Sequence, residues 1–129
     1  MERFLLICLG GAIGTGLRYW TSGLAASWLG ADFPHGTLIV NVVGSFLIGL
    51  IQQIGTTTLI IPDTARLFLT VGIMGGLTTY SSFSYETIRL VEVGAWGQAW
   101  TNVLATTALC LAMCFLGIAV GRLVVGVRV

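Results

Sequence analysis

One short segment of the sequence concentrates the side chains that could bind an ion. Residues 75–86 read GGLTTYSSFSYE. The first eleven of them end an uncharged run that covers residues 67–85, and Glu86 follows that run. Glycine, serine and threonine lower helix propensity, so a helix through this segment is predicted to break at residues 75–79. Such a break frees carbonyl oxygens, which suit a bare cation, and amide hydrogens, which with hydroxyls suit an anion. The alternative is a continuous helix with a kinked stretch rich in serine and threonine.

Aromatic side chains follow this break at helical spacing. Tyr80 and Phe83 lie three residues apart, and the positive edge of an aromatic ring can face an anion. Aromatic side chains at this spacing usually pack in a protein core, but here hydroxyl groups accompany them at Thr79, Ser81 and Ser84. The combination indicates an anion path built from weak donors, which would let a small anion leave where a fixed Lys or Arg would hold it.

Two stripes of uncharged polar residues occur in other apolar runs. Thr37, Asn41 and Ser45 are four residues apart and therefore share one helical face. Asn41 provides two hydrogen-bond donors without a full charge. A second stripe carries Asn102, Thr106 and Cys110, of which Thr106 and its neighbour Thr107 are candidate pore hydroxyls. The alternative for both stripes is that they only join neighbouring helices.

Two charged residues lie within or near the end of apolar runs. Arg18 is the one basic residue well inside such a run, where a charge needs a partner, water or a route to the headgroups. It either reaches the headgroups along its aliphatic stem or raises the anion concentration at a pore mouth. Glu86, near the end of the third run, either pairs with a basic group or faces water.

The elements that must position these residues are membrane-spanning helices. The chain has 129 residues, 56% hydrophobic and 9% charged, with a mean hydropathy of +0.96, whereas a soluble domain is about 25% charged. This excludes a soluble protein, and a net charge of +1 offers no basic field for nucleic acid. Because a span takes about 20 residues, we expect four spans in a single transmembrane domain over residues 1–129. They are predicted near residues 4–28, 36–54, 66–91 and 97–124.

Charge and glycine placement indicate how the spans are arranged. The positive-inside rule favours termini inside, but the bias is thin enough for insertion in both orientations. With four spans, one face of the membrane has Arg3, Arg66, Arg122 and Arg128. The other face has Arg89, with or without Arg18. Small residues let membrane helices approach closely, so glycine pairs four apart are predicted at helix contacts. These pairs are Gly10 with Gly14, Gly72 with Gly76, and Gly117 with Gly121.

Taken together, these motifs resemble the Fluc family of bacterial fluoride channels. The resemblance covers the whole chain in length and four-span layout. It rests on GGLTTYSSFSYE at residues 75–86, preceded by GTLIVNVVG at 36–44 and GTGLRY at 14–19. It implies an all-α, antiparallel, dual-topology homodimer with two fluoride pores in a bacterial inner membrane, its third helix broken near the centre.

The resemblance also implies roles for individual residues. Backbone carbonyls of Gly75 and Thr78 would hold a structural sodium ion at the dimer centre. The pore aromatics fall on Tyr80 and Phe83, and Tyr80 stands where the family usually has phenylalanine, which adds a hydroxyl that could bond an ion, a neighbour or water. The remaining matches are a pore asparagine, a first-helix arginine, an acidic residue and two small hydroxyl positions, namely Asn41, Arg18, Glu86, Ser81 and Ser84.

Three other functions agree less well with these residues. A small dual-topology multidrug or cation exporter has a similar size, but its coupling requires a carboxylate deep in the first helix, and none occurs between Glu2 and Asp32. A non-catalytic membrane assembly subunit would explain the glycines but not the break, the aromatics and Asn41 together. An enzyme is disfavoured, because one histidine, cysteines at lipid depth and acids near span ends offer no nucleophile and base pair. The sequence therefore predicts a passive fluoride exporter.

Overall fold

The computed structural model describes residues 1–126, and this part of the chain is helical without strands. Arg128, one of the arginines in the charge comparison, lies outside the described residues. The elements in chain order are α1 (Glu2–Leu29), α2 (His35–Thr57), α3 (Asp63–Leu67), a π-helical segment (Phe68–Met74), α4 (Gly75–Leu77), α5 (Tyr80–Glu92) and α6 (Trp96–Val124).

Three of these helices, α1, α2 and α6, are long and apolar enough to cross a membrane. With 28 residues, α1 is about 42 Å long at the α-helical rise, which exceeds the roughly 30 Å of a hydrocarbon core. These helices coincide with the first, second and fourth predicted spans to within a few residues. The all-helical membrane class expected from composition is therefore confirmed.

Turn residues end the long helices. Gly30 follows α1 with φ 87°, a left-handed conformation that glycine adopts without strain, and its amide donates to the Ala26 carbonyl. Pro34 and Pro62 immediately precede α2 and α3, where a missing N–H costs no helical hydrogen bond. Gly94, with φ 79°, reverses the chain between α5 and α6. These positions explain why the connections are short.

The region predicted as the third span consists of two helical parts. Residues 63–77 run through α3, the π-helical segment and α4 with helical backbone angles at each junction. Thr78 and Thr79 are then extended, with ψ of 156° and 115° respectively, and α5 starts at Tyr80. The helical hydrogen-bond ladder therefore stops and restarts directly after the glycine pair, where helix propensity is low.

Glycines bring the helices into close contact, as their spacing predicts. A Cβ on Gly10 would lie 2.9 Å from the Phe68 carbonyl oxygen, and one on Gly14 would lie 2.8 Å from the Leu77 amide nitrogen. The same close approach to a neighbouring helix is found at Gly72, Gly76, Gly117 and Gly121. Because apolar burial drives little association in lipid, these backbone contacts are what pack α1 on residues 68–77 and α2 on α6.

The buried core cluster is small and lies where α2 meets residues 63–77. Val40, Met74 and Leu77 form its centre. Large apolar side chains on α1 and α6 point outward instead, with Leu111 and Phe115 exposed. This pattern is expected when lipid covers the outer surface. The core thus sits beside the extended Thr78 and Thr79, and fixes the position of the candidate site.

Candidate functional site

The candidate site is a cavity of about 720 Å³ next to the extended residues. Its wall is formed by α2, the π-helical segment, α4, α5 and α6. None of the described residues in this wall carries a formal charge. Of the predicted site residues it brings together Asn41, Gly75, Thr78, Thr79, Tyr80, Phe83, Ser84 and Thr106.

Asn41 holds the extended segment through both ends of its amide. Its Nδ2 donates to the Thr79 carbonyl oxygen at 3.1 Å, and the Thr79 amide donates to Asn41 Oδ1 at 2.8 Å. Both residues are buried, with exposed fractions of 9% and 7%. The side chain therefore pairs with the main chain as another peptide group would, and satisfies polar groups that lipid could not satisfy.

Thr79 also starts α5. Its Oγ1 accepts from the Ser82 amide at 3.2 Å, which is the usual N-cap hydrogen bond. The first turn of α5 therefore begins at the cavity, and the positive end of its dipole lies there. An anion is the ligand that such an end favours.

The Gly75 and Thr78 carbonyls are among the groups that lose their helical partners at this junction. In an unbroken helix the Gly75 and Thr78 carbonyls would accept from the amides of Thr79 and Ser82. Those amides donate instead to Asn41 Oδ1 and to Thr79 Oγ1. Both carbonyl residues line the cavity. Their oxygens are therefore available to another donor or to a cation.

These oxygens fit the chemistry of a hard cation, which prefers carbonyl ligands. The two oxygens of Gly75 and Thr78 are fewer than a sodium ion takes, so a complete site would need further ligands. In the described residues no cluster of His, Cys, Asp or Glu could hold a metal ion. The Gly75 and Thr78 carbonyls remain the predicted metal ligands.

The two predicted pore aromatics form a pair. The ring centroids of Tyr80 and Phe83 are 5.3 Å apart and their planes are inclined by 49°. Phe83 is 8% exposed and Tyr80 is 80% exposed, so the first ring is packed and the second projects from the wall. Both rings line the cavity, and the positive edge of an aromatic ring is the part that can face an anion.

A buried asparagine joins α5 to α6. Asn102 is 1% exposed; its Nδ2 donates to Thr87 Oγ1 at 2.9 Å, and its Oδ1 accepts from Thr106 at 3.3 Å. Thr87 in turn donates to the Phe83 carbonyl at 2.7 Å. The second polar stripe therefore holds the helix that carries the aromatic pair.

Thr37 and Glu86 lie outside the cavity wall and contact each other. The Thr37 hydroxyl donates to Glu86 Oε1 at 2.8 Å, which joins α2 to α5. The other carboxyl oxygen, Oε2, is buried and has no hydrogen-bond partner in residues 1–126. The predicted partner of Glu86 was a basic group or water, and the structure provides a hydroxyl.

Arg18 and Ser81 are also outside the cavity wall. The two ion pairs in the described part of the chain are Asp63 with Arg66 and Arg89 with Glu92, so Arg18 has no carboxylate partner there. Ser81 is exposed on the first turn of α5, with its Oγ 3.2 Å from Thr79 Oγ1. Neither residue is brought to the cavity by this chain alone.

Other wall residues were not among the predicted site residues. They include Gly44, Ser45, Thr70, Thr87 and Cys110. Ser45 and Cys110 continue the two polar stripes, so the four-residue spacing was the signal that could have identified them. Thr70 and Thr87 lie outside those stripes, and their place depends on how the third region folds.

Comparison with known proteins identifies the family. The model of the CrcB-like protein, Camphor Resistance (CrcB) family matches residues 5–118. The chain is 53% identical over 115 residues to the fluoride-specific ion channel FluC of Anaeromyxobacter dehalogenans, covering 89% of this chain and 91% of the relative. It is 50% identical over 122 residues to the protein of the same name from Sorangium cellulosum, covering 95% and 96%. This chain therefore belongs to the CrcB family.

Proposed function

We propose that this chain forms a fluoride-selective channel through which F⁻ leaves the cytoplasm passively. The observation that carries the proposal is a cavity wall, within the described residues, that combines an amide, hydroxyls and aromatic rings with no formal charge. Such donors replace part of the hydration shell of an anion without binding it too tightly to leave. The relatives that are named fluoride-specific ion channels support the same ion. A channel of this family is not an enzyme.

The proposed passage runs along the cavity wall. Asn41, Tyr80 and Phe83 would face the ion there, with hydroxyl groups of Thr79, Ser84 and Thr106 in the same wall. We place the remaining predicted residues at its approaches. Arg18 would concentrate anions at the mouth, Ser81 would lie beside it, and the Thr37–Glu86 hydrogen bond would hold α5 in place.

The proposed assembly is an antiparallel, dual-topology homodimer with two pores. Residues 63–77 and α5 would be the two halves of one broken membrane crossing. Support comes from Tyr80, which is 80% exposed, and from the polar wall beside it, because lipid does not solvate such groups. A second copy would cover this face. The thin arginine bias is compatible with insertion in both orientations.

The proposed metal is a structural sodium ion at the centre of that dimer. The Gly75 and Thr78 carbonyls of each copy would hold it, because their helical amide partners are engaged elsewhere. The ion would supply positive charge that fixes the two broken crossings together. Thermal unfolding of the purified protein tests this: replacing Na⁺ by N-methylglucamine is expected to lower the midpoint. An identical midpoint in both cations would contradict the site.

The proposed location is the bacterial inner membrane, as a multi-pass protein. Three helices are apolar and long enough to cross it. In an acidic medium fluoride crosses the membrane as neutral HF, which dissociates in the less acidic cytoplasm. An anion-selective leak would then remove the F⁻ that accumulates there. A proton-coupled exporter of cations or drugs would need a carboxylate in its transport path. The cavity wall has none among the described residues.

The direct test is ion release from liposomes that contain the purified protein. Fluoride efflux is followed with a fluoride electrode while valinomycin lets K⁺ balance the charge, and chloride efflux is measured in matched liposomes. We expect rapid fluoride release and chloride release at the rate of empty liposomes. Equal release of both anions, or release of neither, would contradict the proposed function.

The dual topology is tested separately by labelling in cells. Leu59 is fully exposed in the connection between α2 and α3, so Leu59→Cys presents a thiol on one side of each copy. The native cysteines lie within helices. A membrane-impermeant maleimide is expected to label about half of the thiol that the same reagent labels after permeabilisation. Labelling of all or none of it would mean a single orientation.

A further inference from the structure

The hydroxyl groups of the cavity wall differ in whether their protons are already used. A hydroxyl has one proton to donate, and a carbonyl oxygen can only accept. Thr70, Thr78, Ser84 and Thr87 each donate to the main-chain carbonyl four residues earlier, at 2.7 to 2.9 Å. These four hydroxyls therefore offer only lone pairs to the cavity, and lone pairs do not attract an anion.

Asn102 fixes the proton of a fifth hydroxyl. The Thr87 hydroxyl uses its proton for the Phe83 carbonyl, so it can only accept from Asn102. The Asn102 amide nitrogen, Nδ2, must therefore face Thr87. Oδ1 then faces Thr106, so Thr106 must donate to it. The buried amide thus orients both threonines with their protons directed into the protein. Thr79 is similarly engaged, because its hydroxyl donates to Ser82 Oγ at 3.1 Å.

Three hydroxyls of the wall remain. Ser45, Tyr80 and Thr107 line the cavity, and none of them has a hydrogen-bond acceptor within residues 1–126. Tyr80 and Thr107 are exposed, whereas Ser45 is half-buried in the wall. Ser45 also lies one helical turn after Asn41, on the same face of α2. Nδ2 of Asn41 has two protons and uses one for the Thr79 carbonyl.

From this distribution of protons we infer that Ser45 is a fluoride-contacting residue that sets selectivity, donating its hydroxyl proton beside the second N–H of Asn41. Ser84, Thr87 and Thr106 share the cavity but do not donate to the ion. The inference rests on the proposed function, because it names a donor within the proposed passage. Fluoride accepts stronger hydrogen bonds than chloride, so loss of a donor reduces fluoride passage more than chloride passage.

The test compares two hydroxyl residues of one cavity. Ser45→Ala removes a proton that is free, and the control Thr70→Val removes one that is bonded to the Arg66 carbonyl. In liposomes, Ser45→Ala is expected to lower the fluoride-to-chloride flux ratio by about tenfold, in the range for loss of a hydrogen bond to a charged partner. Thr70→Val is expected to stay within about twofold of the unmodified protein, because the lost bond is local and valine has a similar size. Ser45→Thr keeps a hydroxyl and is expected to restore most of the ratio.

The outcomes separate this inference from the proposed function. If the unmodified protein does not prefer fluoride, the proposed function fails. If it does, and either Ser45→Ala keeps the ratio of the unmodified protein or Thr70→Val loses as much as Ser45→Ala, the inference is overturned. Should Ser45→Ala not be recovered as a folded protein, Ser45→Cys decides. The Cys thiol is a weaker donor of similar shape. A fluoride-to-chloride flux ratio in Ser45→Cys equal to that of the unmodified protein would therefore also overturn the assignment.

Discussion

Replacing Asn41 by alanine should destabilise the protein more than a truncation of the same size elsewhere on α2. The asparagine satisfies both the amide and the carbonyl of Thr79, and both residues are buried. Alanine leaves these two main-chain groups without partners. A buried unsatisfied polar group costs about 1–3 kcal/mol, so the free energy of unfolding is expected to fall by about 2–6 kcal/mol.

The assay is equilibrium unfolding in detergent micelles, with Ser45→Ala as the matched control. Ser45 lies one turn away on the same helix and has no hydrogen-bond partner in residues 1–126, so its truncation should change the free energy of unfolding by about 0.5 kcal/mol or less. Amide exchange of residues 75–83 should accelerate in Asn41→Ala and stay unchanged in the control. Equal stability of the two variants would refute the role of Asn41 in holding the extended segment.

Asn41→Asp keeps one of the two hydrogen bonds to Thr79, loses the one to its carbonyl, and puts a charge in the proposed ion pathway. A carboxylate still accepts from the Thr79 amide, but it adds a negative charge to a wall that has none. We therefore expect the fluoride flux to fall by at least about tenfold through charge repulsion, since every 1.4 kcal/mol is a factor of ten. The variant should remain assembled by size-exclusion chromatography. Unchanged flux in a folded Asn41→Asp protein would contradict a pathway role for this residue.

Three further predictions concern packing and the contacts around α5. Gly14→Ala should lower the free energy of unfolding by about 1–3 kcal/mol, because its Cβ would meet the main chain at Ile73 and Leu77. The control Gly16→Ala should be neutral, because nothing lies within 4 Å of that Cβ. Equal effects of the two variants would contradict the packing described. Asn102→Ala should cost about 2–5 kcal/mol in thermal unfolding, since it leaves buried polar groups unpaired. Thr37→Val should cost about 1–3 kcal/mol by removing the hydrogen bond to a carboxyl group of α5, and a stability equal to the unmodified protein would argue against that contact.

Helix extents and packing contacts followed well from local patterns. Long apolar runs predicted α1, α2 and α6, because the length of an apolar run is set by bilayer thickness. Glycine pairs four residues apart marked the contacts of Gly14 and Gly117 with neighbouring helices. These features depend on spacing along one helix, which is visible in the sequence.

The hydrogen-bond partners across helices could not be predicted. Asn41 was placed on a polar face, but its pairing with the Thr79 main chain depends on the rotation of α2 against the third region. The acceptor of the Thr37 hydroxyl is a carboxylate 49 positions away. Which hydroxyls keep a free proton depends on such partners. The sequence therefore indicated the donors in the wall, and the fold decides which of them can donate.

Fluoride selectivity is measured most directly by the reversal potential across a planar bilayer that contains the purified protein. With fluoride in one chamber, chloride in the other and a known low concentration of each anion in the opposite chamber, so that both equilibrium potentials are defined, the current should reverse near the equilibrium potential of fluoride. Reversal near the equilibrium potential of chloride would contradict a pathway selective for F⁻.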